Sequence, residues 1–163
     1  MMHRIRVAAA ALSLLAAAVW LGGILVLGAI VAPLVFRVVH APESADAMTR
    51  VFLTFDKIAM SAAVLIAVCE IVGSRTAPVR RIDLARFAAS AVASALAFTQ
   101  GLWLSPQIAH LHTAGAVRGS GELGRALDAA HHLSELCGKS ESAALVGFVV
   151  LSVAALAQRR PEP

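Results

Sequence analysis

The sequence predicts an all-α integral membrane protein, a four-helix bundle with both termini in the cytoplasm. Three observations carry this. Of 163 residues, 59% are apolar and only 15% charged, against about 25% charged in ordinary soluble domains; mean hydropathy is +0.79. The apolar residues form four continuous runs and do not alternate at period two, so they read as helices and not as strands of a membrane barrel. Lysines and arginines are distributed unequally around those runs, which sets an orientation. The composition excludes intrinsic disorder. It also excludes a disulfide scaffold, because only Cys69 and Cys137 are present. A net charge of +4 and a pI near 10.0 do not signal nucleic acid. The basic residues flank apolar runs and form no stripe with aromatics, which are 5% of the chain and include no tyrosine.

The first run, Val7 to Phe36, has 30 residues without a formal charge. As straight helix it is about 45 Å long, more than a hydrocarbon core of roughly 30 Å. It must tilt, kink or protrude, and Pro33 offers a kink because it lacks the backbone donor. The second run, Ile58 to Cys69, has only 12 residues. Its helix must extend to about 51–73, which draws in Asp56, Lys57 and Glu70. The third, Phe87 to Ile108, has 22 residues, and the fourth, Ser142 to Ala157, has 16. The fourth can lengthen only backward through Glu141, Lys139 and Glu135. One transmembrane domain over residues 1–163 is therefore expected, with spans at about 7–36, 51–73, 86–108 and 135–157.

Arg4 and Arg6, then Arg75, Arg80, Arg81 and Arg86, then Arg159 and Arg160 fall on one side of these spans, with only Asp83 and Glu162 as acids. Arg37, Arg50, Lys57, Arg118, Arg125 and Lys139 fall on the other, interspersed with seven acids. The first side is therefore assigned to the cytoplasm of a plasma (inner) membrane protein. Met1 to Ala18 resembles a signal peptide, with a small-residue motif at 16–18. The apolar run continues for 18 more residues, however, beyond the 7–15 of such segments, so it reads as a span.

Alanine makes up 35 residues. Helices in lipid gain from close approach, which small residues permit. Ala18 with Gly22, and Gly28 with Ala32, are small pairs on the first helix. Ala89, Ala93, Ala97 and Gly101 form a stripe that makes the third helix central.

The polar residues carry the functional expectation. His40, His110, His112, His131 and His132 gather on the outer side, with His3 on the inner. Asp128, His131 or His132, and Glu135 lie three or four residues apart along one helical face, a spacing at which carboxylate and imidazole can share a metal. A polar cluster of Asp56, Gln100, His131, Glu135 and Glu141 beneath the outer surface follows from the shortness of the second and fourth runs. Glu70, near the inner end of the second helix, can reach the interface or pair with Arg75 or Arg80, and reads as interfacial. Trp103 is placed as an interfacial anchor, and Trp20, at mid-span, as a packing residue. Cys69 and Cys137 lie near opposite faces and cannot be bridged.

Trp20-Leu21-Gly22-Gly23, Ala32-Pro33 with Phe36, Phe55-Asp56, Ser105-Pro106, and His131 with Ser134 follow in order along the chain. This set resembles the four-helix membrane family of unknown function related to eukaryotic transmembrane protein 205. The first element is also similar to the opening helix of copper-resistance protein D and of haem-linked membrane protoporphyrinogen oxidases. The resemblance implies a four-span bundle in the plasma membrane without an established activity. It singles out Trp20, Gly22, Gly23, Pro33, Phe36, Asp56, Pro106, His131 and Ser134. The sequence departs from it after Pro106, where His112 stands near an expected arginine.

Three function classes remain. One is a non-enzymatic protein of transport, metal handling or stress tolerance, with copper or zinc as candidate metals at His131, Glu135 and Asp128. Another is a haem-binding redox enzyme. The third is an assembly subunit packing against partner helices. The bilayer is the expected partner, together with a second copy or other membrane helices, and nucleic acid is not. Four helices enclose little volume, so transport would need an oligomer.

Overall fold

The computed structural model describes residues 2–75 and 79–158. Arg159, Arg160, Glu162 and the His3 side chain, used above for orientation, lie outside what is described. Every regular element is helical: α1 Met2–Val26, a π turn Leu27–Val31, α2 Ala32–Val38, α3 Glu43–Arg75, α4 Arg81–Thr99, a π turn Gln100–Leu104, α5 Ser105–Thr113 and α6 Gly121–Ala157. The two π turns are continuous with the helices beside them. Four rods result, Arg4–Val38, Glu43–Arg75, Arg81–Thr113 and Gly121–Ala157, each long and apolar enough to cross a membrane.

The rods of 33 to 37 residues outrun the charge-free runs because their buried faces keep helical period into polar sequence. On α6 the buried positions Gly124, Leu127, Ala130, Cys137, Glu141, Leu145, Phe148, Ser152 and Ala155 recur mostly at steps of three and four. The helix starts at Gly121, well before the expected Glu135. On α3, Ser44 and Met48 extend the buried face that Asp56, Ala59, Ala63 and Ile66 continue. Rods of 33 residues are about 50 Å long, so their ends project beyond a hydrocarbon core of roughly 30 Å.

Neighbouring rods run antiparallel. One end of the bundle, here the hairpin end, holds the connections at 39–42 and 114–120. The other, the terminal end, brings Arg6, Glu70, Arg86 and Leu156 around one small cavity. The core between them is built from Ala16, Ala17 and Trp20 of the first rod, Ala59, Ala62, Ala63 and Ile66 of the second, Ala93 and Ala97 of the third, and Leu145 and Phe148 of the fourth. Trp20 and Phe148 fill what the alanines leave open. A satellite cluster of Ile108, Leu111, Leu127 and Ala130 closes the hairpin end.

The third-rod stripe is at the contact, with Ala93 and Ala97 fully buried. On the first rod the expected pair Ala18 and Gly22 is not the contact line: Ala18 is exposed, and nothing lies near Gly22. The buried line there is Ser13, Ala17 and Trp20, and it continues to Gly23. A Cβ on Gly23 would lie 2.2 Å from Phe55 Cε2, so the ring needs that glycine. Gly28, Pro33 and Phe36 are exposed, as a lipid-facing surface requires.

Pro33 does not break the first rod. The π turn before it takes up the missing donor: Ala32 N–H bonds to Leu27 O, five residues back. Pro106 is accommodated in the same way, with Ser105 N–H bonding to Gln100 O. The stretches 27–33 and 100–106 also share a glycine at their second position, Gly28 and Gly101.

At the terminal end, Glu70 is buried, where interfacial exposure was expected. Its partner is Arg86 of the next rod, Nη2 to Oε2 2.9 Å, and not Arg75 or Arg80. Arg80 instead bonds Asp83 at the start of α4 and reaches Ala155 O on the fourth rod at 3.2 Å. The second-to-third connection is thereby tied to the last turns of α6.

Candidate functional site in the polar interior

Halfway along the bundle, four rods of apolar sequence bring polar side chains together. Trp20, fully buried, donates its indole Nε1–H to Glu141 Oε1 at 2.5 Å. The bond joins the first and fourth rods. Toward the hairpin end, Asp56 of the second rod is 6% exposed and meets the Ser105 side chain of the third. Its Oδ2 is buried and has no hydrogen-bond partner among the described residues. Neighbouring Lys57 is exposed and faces away from this interior. Asp56 and Glu141 lie within electrostatic reach of one another.

The third rod supplies the floor. Gln100 Nε2–H donates to Ser134 Oγ of the fourth rod, while its Oε1 is buried without a partner among the described residues. A Cβ on Gly101 would lie 3.1 Å from Asp56 Cβ and 3.0 Å from Met60 Cε, so its backbone abuts Asp56 directly. The π turn places these residues there. It widens the helix where Gly101 and Ser105 face Asp56, and π turns recur at functional positions.

Among the residues expected to form a site, the structure pairs Gln100 with Ser134 and Trp20 with Glu141, and sets Asp56 against Ser105 and Gly101. Pro106 shapes the turn behind them. Glu135 stands apart: it is exposed and pairs with Lys139, Oε1 to Nζ 2.7 Å. Asp128 is held at the hairpin end by Arg118 Nε at 2.7 Å and by Gly119 N–H at 2.9 Å. His131 is half-buried and makes an edge contact with His112, ring centroids 5.9 Å apart. Among the described residues, no group of three or more His, Cys, Asp or Glu side chains is arranged to hold a metal ion. Cys69 and Cys137 are both free thiols. Trp103 is largely exposed, while Trp20 combines packing with a polar contact.

Sequence reasoning missed two partnerships. Trp20 carried a packing role alone, although a tryptophan buried in lipid surroundings needs an acceptor for its N–H. Ser105 entered only beside Pro106. Its place opposite Asp56 depends on the extra residue of the π turn, which shifts every later side chain around the helix.

Apolar rods enclosing a polar layer define a multi-pass, all-helical membrane protein. Residues 15–116 match the model of a domain of unknown function (DUF4149). The match spans well over half of the chain, which therefore belongs to that family. It includes Trp20, Asp56, Gln100 and Ser105 and stops before Ser134 and Glu141. No curated protein and no solved structure matches the chain, and the likenesses to the transmembrane protein 205 relatives and to copper-resistance protein D gain nothing from the comparisons.

Proposed function

We propose that the protein binds and exchanges a small positively charged species at the polar layer centred on Asp56, and that it acts in transport across the membrane. The observation that carries this reading is the Asp56 carboxyl: buried, without a cationic partner, and with one oxygen unpartnered among the described residues. A bare carboxylate inside a membrane protein costs several kcal/mol, and such residues usually face a bundle interior and mark ion pathways. A proton or a small cation removes that cost and leaves again when the site is hydrated. Glu141 offers a second carboxyl within reach, and Gln100 and Ser134 line the same layer.

The arginine distribution supports an orientation with both termini in the cytoplasm of a plasma membrane. Four rods leave little room for a continuous path, so we expect the transporting unit to be an oligomer. Histidine-based metal handling is the weaker alternative, because the expected ligands Asp128 and Glu135 already hold Arg118 and Lys139.

The test is flux in proteoliposomes. Purified protein is reconstituted with a pH-sensitive dye inside, and proton and alkali-cation gradients are imposed in turn. Flux above protein-free vesicles, lost in Asp56→Asn and kept in Glu135→Gln, supports the reading. No flux under either gradient, or an Asp56→Asn variant as active as the parent chain, overturns it.

A further inference from the structure

We infer that the third-rod π turn and Asp56 form a dehydrated binding site for a monovalent alkali cation. This rests on the reading above and specifies its ligand.

The central group is a backbone carbonyl. In a helix, the carbonyl of Gly101 accepts from the N–H of residue 105 in α register or of residue 106 in π register. Ser105 N–H bonds to Gln100 O, and residue 106 is a proline without an N–H. The carbonyl of Gly101 is therefore left without a helical donor. An unsatisfied carbonyl within a bilayer is costly and persists only where it is buried in protein or lines a cavity. Gly101 is packed against Asp56 and Met60, so its backbone is on the interior side.

Three further oxygens belong to Asp56, which packs on Gly101, and to the neighbouring residues Gln100 and Ser105 of the same turn. Asp56 Oδ2 and Gln100 Oε1 are buried and unpartnered among the described residues, and the Ser105 side chain meets the Asp56 carboxyl. A carboxylate, an amide oxygen, a hydroxyl and a freed backbone carbonyl make an all-oxygen donor set suited to a hard cation. Broken or unwound membrane helices use their carbonyls in this way toward alkali cations. Charge selects the monovalent class. Asp56 is the carboxylate packed on Gly101 and Ser105, and a single negative charge there balances a single positive one. The donors of the set are all oxygen, which suits a hard cation; the Met60 thioether, whose Sδ would lie 3.1 Å from a Cβ on Gly101, is the soft atom beside them.

The first rod provides an internal comparison. Its π turn frees the carbonyl of Gly28 by the same logic, because Ala32 N–H bonds to Leu27 O and residue 33 is proline. Gly28 is exposed, however, and has no carboxylate beside it. The same backbone device thus occurs twice, and only the copy facing Asp56 has the donors of a site.

The experiment follows the thermal midpoint of the purified full chain in mild detergent as sodium or potassium chloride replaces choline chloride at constant ionic strength. A cation that binds the folded state raises the midpoint as its concentration passes the dissociation constant. The expected result is a rise of a few degrees with sodium, potassium or both that sets in near the dissociation constant and grows logarithmically above it, abolished in Asp56→Asn. Pro106→Ala restores a backbone donor to the turn, and Ser105→Ala removes one oxygen. Each is expected to weaken the apparent affinity about tenfold or more, and Ser105→Ala gives the reading if Pro106→Ala does not fold. A midpoint indifferent to both cations, an unaltered rise in Asp56→Asn, or unchanged affinity in both Ser105→Ala and Pro106→Ala overturns the site. Asp56-dependent proton flux without any alkali-cation stabilisation overturns this inference and leaves the reading above standing; absence of both removes both.

Discussion

The indole N–H of Trp20 and the carboxylate of Glu141 bond at 2.5 Å across a sequence separation of 121 residues. Each residue resolves the other's problem. A buried indole needs an acceptor, and a buried carboxylate needs a donor. Because the two lie on the first and fourth rods, the bond closes the bundle across its alanine-lined core.

Trp20→Phe keeps most of the aromatic volume and removes the donor. Leaving a buried acceptor unpaired costs about 1–3 kcal/mol, so the variant should unfold at a lower temperature in detergent. Glu141→Gln keeps an amide oxygen that can accept from the indole and should lose less. A Trp20→Phe variant as stable as the parent chain would show that packing alone holds the first rod.

Gly23 and Phe55 should behave as a coupled pair. A methyl at Gly23 would sit 2.2 Å from the ring, and overpacking of this kind costs about 1–3 kcal/mol. Gly23→Ala should lower the thermal midpoint, and Phe55→Leu should restore part of the loss in the double variant. Additive losses would mean that the ring is free to move aside. Gly22→Ala, with open space around it, is the matched control and should be nearly silent.

That contrast marks how far the sequence could be read. Four helical spans and their antiparallel order were legible from continuous apolar runs, because lipid tolerates only helices and closed barrels and these runs do not alternate as barrel strands do. Asp56 and Gln100 were legible as interior groups because the apolar run beside Asp56 is too short to span alone. Which glycine of 22 and 23 makes contact was not legible: both are small, and the angle between two helices decides between them. Ser105 opposite Asp56 was hidden for a different reason. A π turn alters the phase of everything after it, and regular 3.6 periodicity does not anticipate one. Glu70 was given to the interface, or to Arg75 or Arg80 because they are near in sequence, whereas Arg86 reaches it across a helix–helix contact.

The Glu70–Arg86 pair makes its own prediction. Both side chains are about nine-tenths buried, and removing the arginine takes its charge from Glu70 and from Asp83, whose Oδ1 lies 3.9 Å from Arg86 Nη2; breaking a buried pair costs roughly 3–5 kcal/mol. Arg86→Leu should therefore abolish or sharply reduce the yield of folded, monodisperse protein in detergent. Replacing both residues together with apolar ones of similar size should recover much of that yield. If the double variant is no better than the single one, the ion pair does more than neutralise two charges.

The hairpin end separates two surface ion pairs of similar length. Among the described residues Glu135 pairs with Lys139, one turn away on the same exposed face, and contacts of this kind contribute little in water. Asp128 holds Arg118 and also receives the Gly119 N–H, so it pins the 114–120 connection to α6. That connection passes so close to the helix that a Cβ on Gly124 would lie 2.2 Å from Val117 O, and backbone cannot yield as a side chain can. Asp128→Ala and Gly124→Ala should both raise amide exchange and proteolytic cleavage within 114–120, while Glu135→Ala should leave them unchanged. The polar layer should be insensitive to all three, because Asp56 and Ser105 are positioned by rods and not by this loop; a loss of Asp56-dependent flux in Asp128→Ala would show instead that the connection controls access to the site.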